Sequence, residues 1–318
     1  ALQERRDEAC LARRVAVLPD VEREIGERAA AGEAPRGEDV VVGARLAALA
    51  EQLGVGGLAR RLDSASDRSV DRKDVRDIIH RGGTFIGTGR VPELYPPPAD
   101  CADLADRLAA REAFLRVAAV NLFQTRVESL IVIGGDGSLT GAGYFAAEHG
   151  FKIIGIPKTI DNDVSGTEVC IGYDTAMNTA MQALDRIRDT ADSHERMFVI
   201  EVMGRDSGYI AYAAGLAGGA DGILIPETTT DWQALTGVLK ARHSGRRGSL
   251  LIVVAEGDES GGAQKIGERL TREFPEEKIG VCVLGHTQRG GAPTAADRIL
   301  ASRFGVAAVE LTRLRAID

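Results

Sequence analysis

An apolar run that ends in a glycine-rich turn decides how this chain folds: residues 130–138 read LIVIGGDGS. Its apolar residues are typical of a strand that is buried on both faces. Further apolar runs, separated by helical patterns, stand at residues 152–156, 197–202, 222–225, 250–255 and 281–284. This alternation predicts an α/β fold with mostly parallel sheets that are covered by helices on both faces.

Helices are predicted beside these runs. One spans residues 174–188 and places five apolar side chains on one face: Met177, Ala180, Met181, Leu184 and Ile187. Another begins near Asp103, after a rigid Pro-Pro-Pro break at residues 96–98. Residues 1–68 differ in composition, being rich in Ala, Arg, Glu and Gly, and are predicted to hold a strand at 14–18 and a helix at 45–53.

Composition excludes several classes of protein. The 318 residues, 44% of them apolar, suffice for about two domains with buried cores. A net charge of −8 argues against non-specific nucleic-acid binding. The four cysteines form no C-x-x-C pair, so we expect no disulfide framework and a reducing cytoplasm. We expect no membrane span, since no apolar run approaches the ~20 residues that one needs.

The first polar motif is the turn itself, with Gly135, Asp136, Gly137 and Ser138. Glycines let phosphate oxygens approach backbone N–H groups, and the start of the next helix favours anions. Asp136 is a candidate Mg²⁺ ligand beside such phosphates. The alternative is a tight strand-to-helix turn with an exposed carboxylate.

The second motif, PKTIDND at residues 157–163, also follows a strand. It offers Asp161 and Asp163 as carboxylates and Thr159 as a hydroxyl. Phosphoryl transfer to an alcohol requires a carboxylate that takes the hydroxyl proton and a cation that offsets the phosphate charge. The alternative is a polar turn that caps the following segment.

Cationic residues stand beside the later strands. SHER at 193–196 and EVMGRDSGY at 201–209 flank one strand, and LGHTQRGG at 284–291 follows another. Arg196, His286 and Arg289 are candidate phosphate ligands, because the arginine fork matches phosphate oxygens. Surface ion pairs or a hydrogen-bonded core histidine are the alternatives.

Taken together, these motifs resemble those of the phosphofructokinase family, which transfers a phosphoryl group to the 1-hydroxyl of fructose 6-phosphate. The match runs from about residue 69 to 310 and includes, in the family's order, RGGTFIGTGR, IGGDGS, PKTIDND, SHER, EVMGR, VVAEG and LGHTQRGG. The resemblance implies two doubly wound domains with the active site in the cleft between them. It implies a donor-binding domain of residues 1–172 plus 288–318, with 1–68 divergent, and a fructose 6-phosphate-binding domain of residues 173–287. It also implies a homo-oligomer, either a dimer or a tetramer.

The resemblance assigns roles residue by residue. Asp161 is implied as the base, with Thr159 and Arg205 as further catalytic residues. The implied donor-binding residues are Arg90, Gly135, Asp136, Gly137 and Ser138, with Asp136 also as the Mg²⁺ ligand. The implied sugar-phosphate ligands are Thr159, Asp161, Asp163, Arg196, Met203, Gly204, Arg205, Glu256, His286 and Arg289. Arg196 is the residue that family members lend to a neighbouring subunit, and Arg188, Asp221 and Arg247 fall where bacterial members bind an allosteric nucleotide.

The chain departs from the family pattern in ways that leave alternatives open. Family members carry a Gly-Gly-Asp loop after the first strand, whereas residues 19–23 here read PDVER. Gly280 stands where the family has a phosphate-binding arginine, and Asp318 comes soon after the LGHTQRGG helix, so we expect a shortened C-terminus. The hypotheses are therefore an active kinase, a catalytically weak regulatory or sugar-phosphate-binding subunit, or a disturbed reading frame before Ser69.

The phosphoryl donor is ambiguous on sequence alone. Pyrophosphate-using relatives commonly carry an acid where this chain has Gly137, and Lys158 is the residue that those relatives carry before Thr-Ile-Asp. An acid at position 137 would obstruct the adenosine side of ATP. Its absence favours ATP over pyrophosphate.

Overall fold

The structure, a computed structural model, describes residues 73, 75–88, 94–97, 101, 103–124, 127–245 and 249–314. Several expectations lie outside the described residues: the strand at 14–18, the role of the PDVER sequence at 19–23, the helix at 45–53, and the roles of Arg90 and Arg247.

Strands and helices alternate along the described chain. The strands are β1 Ser129–Gly134, β2 Lys152–Pro157, β3 Met197–Val202, β4 Gly222–Leu224, β5 Leu250–Ala255 and β6 Ile279–Val283. The helices are α1 Leu104–Gln124, α2 Asp136–His149, α3 Tyr173–His194, α4 Tyr209–Ala217, α5 Trp232–Gly245, α6 Gly262–Glu273 and α7 Ala295–Leu314, with a 3-10 turn at Gly285–Arg289.

Most predicted strands are confirmed, and β6 shows why one boundary was wrong. It was expected at 281–284 but begins at Ile279, whose partner across the ladder is Met197. Gly280 pairs with Phe198, and a Cβ there would lie 2.4 Å from that ring. Because Gly280 has no side chain, the sequence pattern did not show that the strand extends through this position. The ring of Phe198 covers it instead.

All pairings of named strands are parallel, as the alternation predicted. β1 pairs with β2, and a second sheet has the order β4-β5-β3-β6. Parallel strands need crossover connections, and helices supply them here. The predicted α/β class with parallel sheets is therefore confirmed, while the residue boundaries of the two domains stay a prediction.

The two central strands of the larger sheet, β3 and β5, are covered on both faces. Ile200, Val202, Leu251 and Val253 point to the side of α3 and α4. Their neighbours in the sequence point the other way, onto α5 and α6, and include Val199, Ile252 and Val254. Because successive strand residues alternate between faces, a strand buried on both sides must be apolar throughout. β5, which reads LLIVVA, is buried at every position.

The smaller sheet is covered by helices as well. Ala308 of α7 packs on Ile154 and Ile156 of β2, and α1 packs with Phe145 of α2 through Leu115. No described helix is long and apolar enough to cross a membrane.

Candidate active site

The glycine turn after β1 is the start of helix α2. Gly135 is the N-cap residue and makes no side-chain capping bond. It lies against the next strand's loop, because a Cβ on Gly135 would stand 3.2 Å from Cβ of Thr159. Asp136, Gly137 and Ser138 are exposed in the first turn of the helix. The turn therefore presents backbone N–H groups and the positive end of a helix dipole beside Thr159.

The loop after β2 is shaped by Asn162. This residue is buried and has a left-handed backbone, with φ 54°. Its amide oxygen accepts the N–H of Cys170 at 2.7 Å, and its amide nitrogen donates to the carbonyl of Glu168 at 3.1 Å. By turning inward, Asn162 leaves Asp161 half-buried and Asp163 exposed on either side of it.

The turn after β3 is held by Glu256, which follows β5. Its carboxylate accepts the N–H of Gly204 at 3.3 Å and of Arg205 at 2.8 Å. Gly204 and Arg205 both have positive φ, at 149° and 55°. A non-glycine residue in that region costs of order 1–3 kcal/mol and clusters at functional sites. Gly257 is required beside it, since a Cβ there would stand 1.9 Å from the Arg205 carbonyl oxygen.

These loops meet at one edge. The Ser207 hydroxyl donates to the backbone carbonyl of Asp161 at 2.8 Å, which joins the loop after β2 to the turn after β3. Burial, reinforced by the negative charge of Asp163, raises the pKa of Asp161 above its usual range, while Arg205 acts in the opposite direction. Although the Asp163 side chain is exposed, its partial desolvation raises its pKa as well, and Asp136 adds to the rise. The acids of both motifs and Arg205 thus share one electrostatic environment.

The 3-10 turn with His286 and Arg289 starts where β6 ends. β6 lies beside β3 and runs parallel to it, and the N–H of Leu284 donates to the carbonyl of Glu201 at 3.0 Å. His286 and Arg289 are exposed at the same edge of the sheet as Arg205. The RGGTF motif also reaches this turn: a Cβ on Gly82 would lie 2.0 Å from the Gly291 carbonyl oxygen.

Arg196 is the predicted site residue that the structure does not bring to this edge. It directly precedes β3, so the strand separates it from Arg205, by roughly 20 Å at about 3.3 Å per residue. Its Nε is buried and has no hydrogen-bond partner among the residues that the structure describes.

The implied allosteric residues have partners of their own. Arg188 donates to the carbonyls of Gly218 and, at 2.9 Å, Gly219. Asp221 accepts the N–H of Leu251 at 2.8 Å and pairs with Arg242.

Sequence reasoning missed Asn162, Ser207 and Tyr95. The Tyr95 hydroxyl donates to the carbonyl of Gly137, and its pKa is raised mainly by burial and also by Asp136. Asn162 carried a usable signal, because asparagine tolerates the left-handed region better than most residues do. Tyr95 carried none, since 42 residues separate it from Gly137.

The carboxylates suit one kind of metal ion. Within the described ranges no cluster of three or more His, Cys, Asp or Glu side chains could hold a metal ion by itself. Mg²⁺ needs no such cage, because it keeps waters and uses one or two carboxylates together with substrate phosphates. Asp136, exposed at the start of α2 and close enough to Asp163 to affect its pKa, fits that mode.

Comparison with known proteins identifies the family. The sequence model described as Phosphofructokinase matches residues 40–312. The chain belongs to the phosphofructokinase family. The resemblance drawn from the motifs is thereby confirmed.

Two phosphofructokinases are similar in sequence to this chain over most of its length. It is 40% identical to the ATP-dependent 6-phosphofructokinase 2 of Bacteroides thetaiotaomicron over 289 residues, covering 90% of this chain and 84% of that protein. It is 49% identical to the ATP-dependent 6-phosphofructokinase of Bacillus velezensis over 250 residues, covering 79% of this chain and 72% of that protein.

A solved phosphofructokinase shares the fold. The phosphofructokinase structure from Saccharomyces cerevisiae superimposes with a TM-score of 0.67 at 33% identity over 77% of this chain. The chain spans about a third of that yeast protein's length, 34%.

Proposed function

We propose that this chain is an ATP-dependent 6-phosphofructokinase, which transfers the γ-phosphoryl group of ATP to the 1-hydroxyl of fructose 6-phosphate. The observation that carries the proposal is the position of Asp161. This half-buried carboxylate, with a raised pKa, stands where the loop after β2 joins the turn after β3, beside the glycine turn that opens α2. Relatives at up to 49% identity that carry this name support the assignment.

Asp161 is the base in this proposal. Its carboxylate accepts the proton of the sugar 1-hydroxyl as the oxygen attacks phosphorus. Thr159 orients the loop, since its hydroxyl accepts the N–H of Asp161 at 3.2 Å. Arg205 offers a cation to the transferring group, and Glu256 holds its backbone in place beforehand. Such positioning and charge stabilisation account for most catalysis of phosphoryl transfer.

The donor lies against the glycine turn. The first-turn N–H groups of α2, from Asp136 to Ser138, face its phosphates, with Arg90 as a further proposed ligand. Asp136 would hold Mg²⁺, which when bound neutralises phosphate charge. Gly137 favours ATP, because the acid that pyrophosphate users commonly carry at this position is absent.

The acceptor's 6-phosphate is bound by cations at the same edge. His286 and Arg289 supply them from within the chain, and Met203, Gly204, Asp163 and Glu256 surround the sugar. Arg196 supplies another from a second copy of the chain, since β3 separates it from its own site. We propose a homo-oligomer for this reason, and a cytoplasmic enzyme.

The test is a coupled assay on the purified chain with fructose 6-phosphate, Mg²⁺ and either donor. We expect ATP to give the higher kcat/KM, and a clear advantage of pyrophosphate would overturn the donor assignment. Residues 19–23, which lie outside the described residues, read PDVER and lack the glycines of the family's donor loop. We therefore expect a kcat below the usual enzymatic range of about 1–10³ s⁻¹, since losing two bonds to charged phosphate costs about 3–6 kcal/mol. Turnover within that range would contradict the expected impairment. Sugar-phosphate binding without turnover by either donor would favour a regulatory subunit.

A further inference from the structure

A hydrogen-bonded junction outside the catalytic loops joins the amino ends of α3 and α7. Its centre is Asp297, whose carboxylate is 2% exposed. One oxygen, Oδ1, accepts the N–H of Gly172 at 2.8 Å. The other, Oδ2, accepts the N–H of Thr175 at 2.9 Å together with the Thr175 hydroxyl. Both oxygens of this buried carboxylate therefore face donors from the other helix.

The junction is reciprocal. The Thr175 hydroxyl oxygen accepts the N–H of Thr294 at 3.1 Å, and the Thr294 hydroxyl donates to Asp174 at 2.5 Å. Thr294 in turn accepts the N–H of Asp297 at 3.3 Å and so caps α7. The N-cap of α3 is Gly172, which has no side chain for capping, and Asp297 replaces it from more than 100 residues away in the sequence. The start of a helix also favours a negative charge.

Each side of the junction anchors a loop with proposed site residues. Gly172 ends the segment that begins with the Asp161 loop. Within this segment, the amide oxygen of Asn162 accepts the N–H of Cys170. Thr294 follows Arg289 by five residues, through the Gly290-Gly291 turn. The junction consequently fixes the proposed base loop relative to the proposed phosphate-binding turn.

We propose that Asp297 is a positioning residue for phosphoryl transfer, which aligns the Asp161 loop with the turn that carries His286 and Arg289. This inference rests on the proposed function. The residue is an acid because donors face both of its oxygens. An asparagine would direct its NH₂ group against one of those donors, and an alanine would leave all of them without their acceptor.

The experiment compares Asp297→Asn, Asp297→Ala and the isosteric Thr175→Val with Asp231→Ala. Asp231 is a matched control, since its carboxylate accepts the N–H of Ala234 at 2.9 Å at the start of α5 and takes no part in the site. We expect Asp297→Ala to lower kcat/KM at least tenfold, with a lower kcat and a higher KM for fructose 6-phosphate. Asp297→Asn should lose less. Asp231→Ala should lower Tm with kcat and KM unchanged.

The outcomes separate positioning from mere stability. Folded Asp297 variants with a lower Tm but wild-type kcat and KM would overturn the proposal. If neither Asp297 variant folds, Thr175→Val decides by the same criterion, with a smaller loss expected. If the wild-type chain turns over no fructose 6-phosphate with either donor, the proposed function fails instead. Hydrogen exchange then tests the junction: Asp297→Asn should speed exchange in both 159–170 and 285–291, and a change confined to 172–175 would overturn the proposal.

Discussion

At the scale of single residues, burial and a neighbouring acid act together on Asp161. Replacing it with asparagine keeps the shape of the side chain but removes the proton acceptor. We expect Asp161→Asn to lower kcat by roughly 10²–10⁴-fold, the usual contribution of a general base. The KM for fructose 6-phosphate should change little. Steady-state kinetics at saturating ATP measure both, and near-normal turnover would remove Asp161 from this role.

The same carboxylate predicts how activity and stability depend on pH. Because the pKa of Asp161 is raised, turnover should fall with decreasing pH at values above the ordinary aspartate range. A raised pKa also means that the folded state holds a proton which the unfolded state has released. The free energy of unfolding should therefore decrease as pH rises from about 3.9 through the folded-state pKa.

Asp161→Asn should remove that decrease and be more stable than the wild type at pH 7. Urea unfolding at several pH values measures this difference. Asp163→Asn should lessen the same decrease, because the negative charge of Asp163 adds to the raised pKa of Asp161 and the pKa of Asp163 is raised as well. If Asp161→Asn is instead less stable than the wild type at neutral pH, burial of the charged Asp161 carboxylate does not lower the free energy of unfolding.

At the scale of elements, the loop after β2 depends on the backbone of Asn162. Asn162→Gly keeps the left-handed conformation but leaves the N–H of Cys170 without its acceptor, at a cost of about 1–3 kcal/mol. Asn162→Ala adds the strain of a Cβ in that region, about 1–2 kcal/mol more. Urea unfolding of both variants measures their difference, which is the strain less the extra backbone entropy that glycine loses on folding, about 0.4–1 kcal/mol. An alanine variant more stable than the glycine variant would show that the loop relaxes out of the left-handed conformation.

The strands were predictable because a strand that is buried on both faces must be apolar at every position, as β5 is. The glycine turn was predictable as well, since its glycines directly follow the apolar run of β1 in the sequence. Contacts between distant segments leave no such pattern. Neither Glu256 holding Arg205 nor Asp297 capping α3 could be derived from spacing, because 51 and 125 residues separate the partners.

At the scale of the whole molecule, the proposed role of Arg196 depends on a second copy of the chain. Arg196→Ala should raise the KM for fructose 6-phosphate roughly 10–100-fold, as expected for one lost bond to a charged phosphate. Light scattering should show at least a dimer for both the wild type and this variant. A monomer with full affinity for the sugar phosphate would contradict the arrangement.

Mixing the two impaired variants tests directly which copy supplies Arg196. In a hybrid of Arg196→Ala and Asp161→Asn subunits, one site combines an intact Asp161 with the neighbour's intact Arg196, while the other site has lost both. If Arg196 acts across a two-fold interface, random assembly from equal amounts should restore about a quarter of wild-type activity, since half of the dimers are hybrids with one complete site. The two variants are unfolded together, refolded and assayed at a subsaturating sugar phosphate concentration, with each refolded alone as the control. If Arg196 instead serves its own site, every site in the mixture lacks one residue and the activity stays at the average of the two controls.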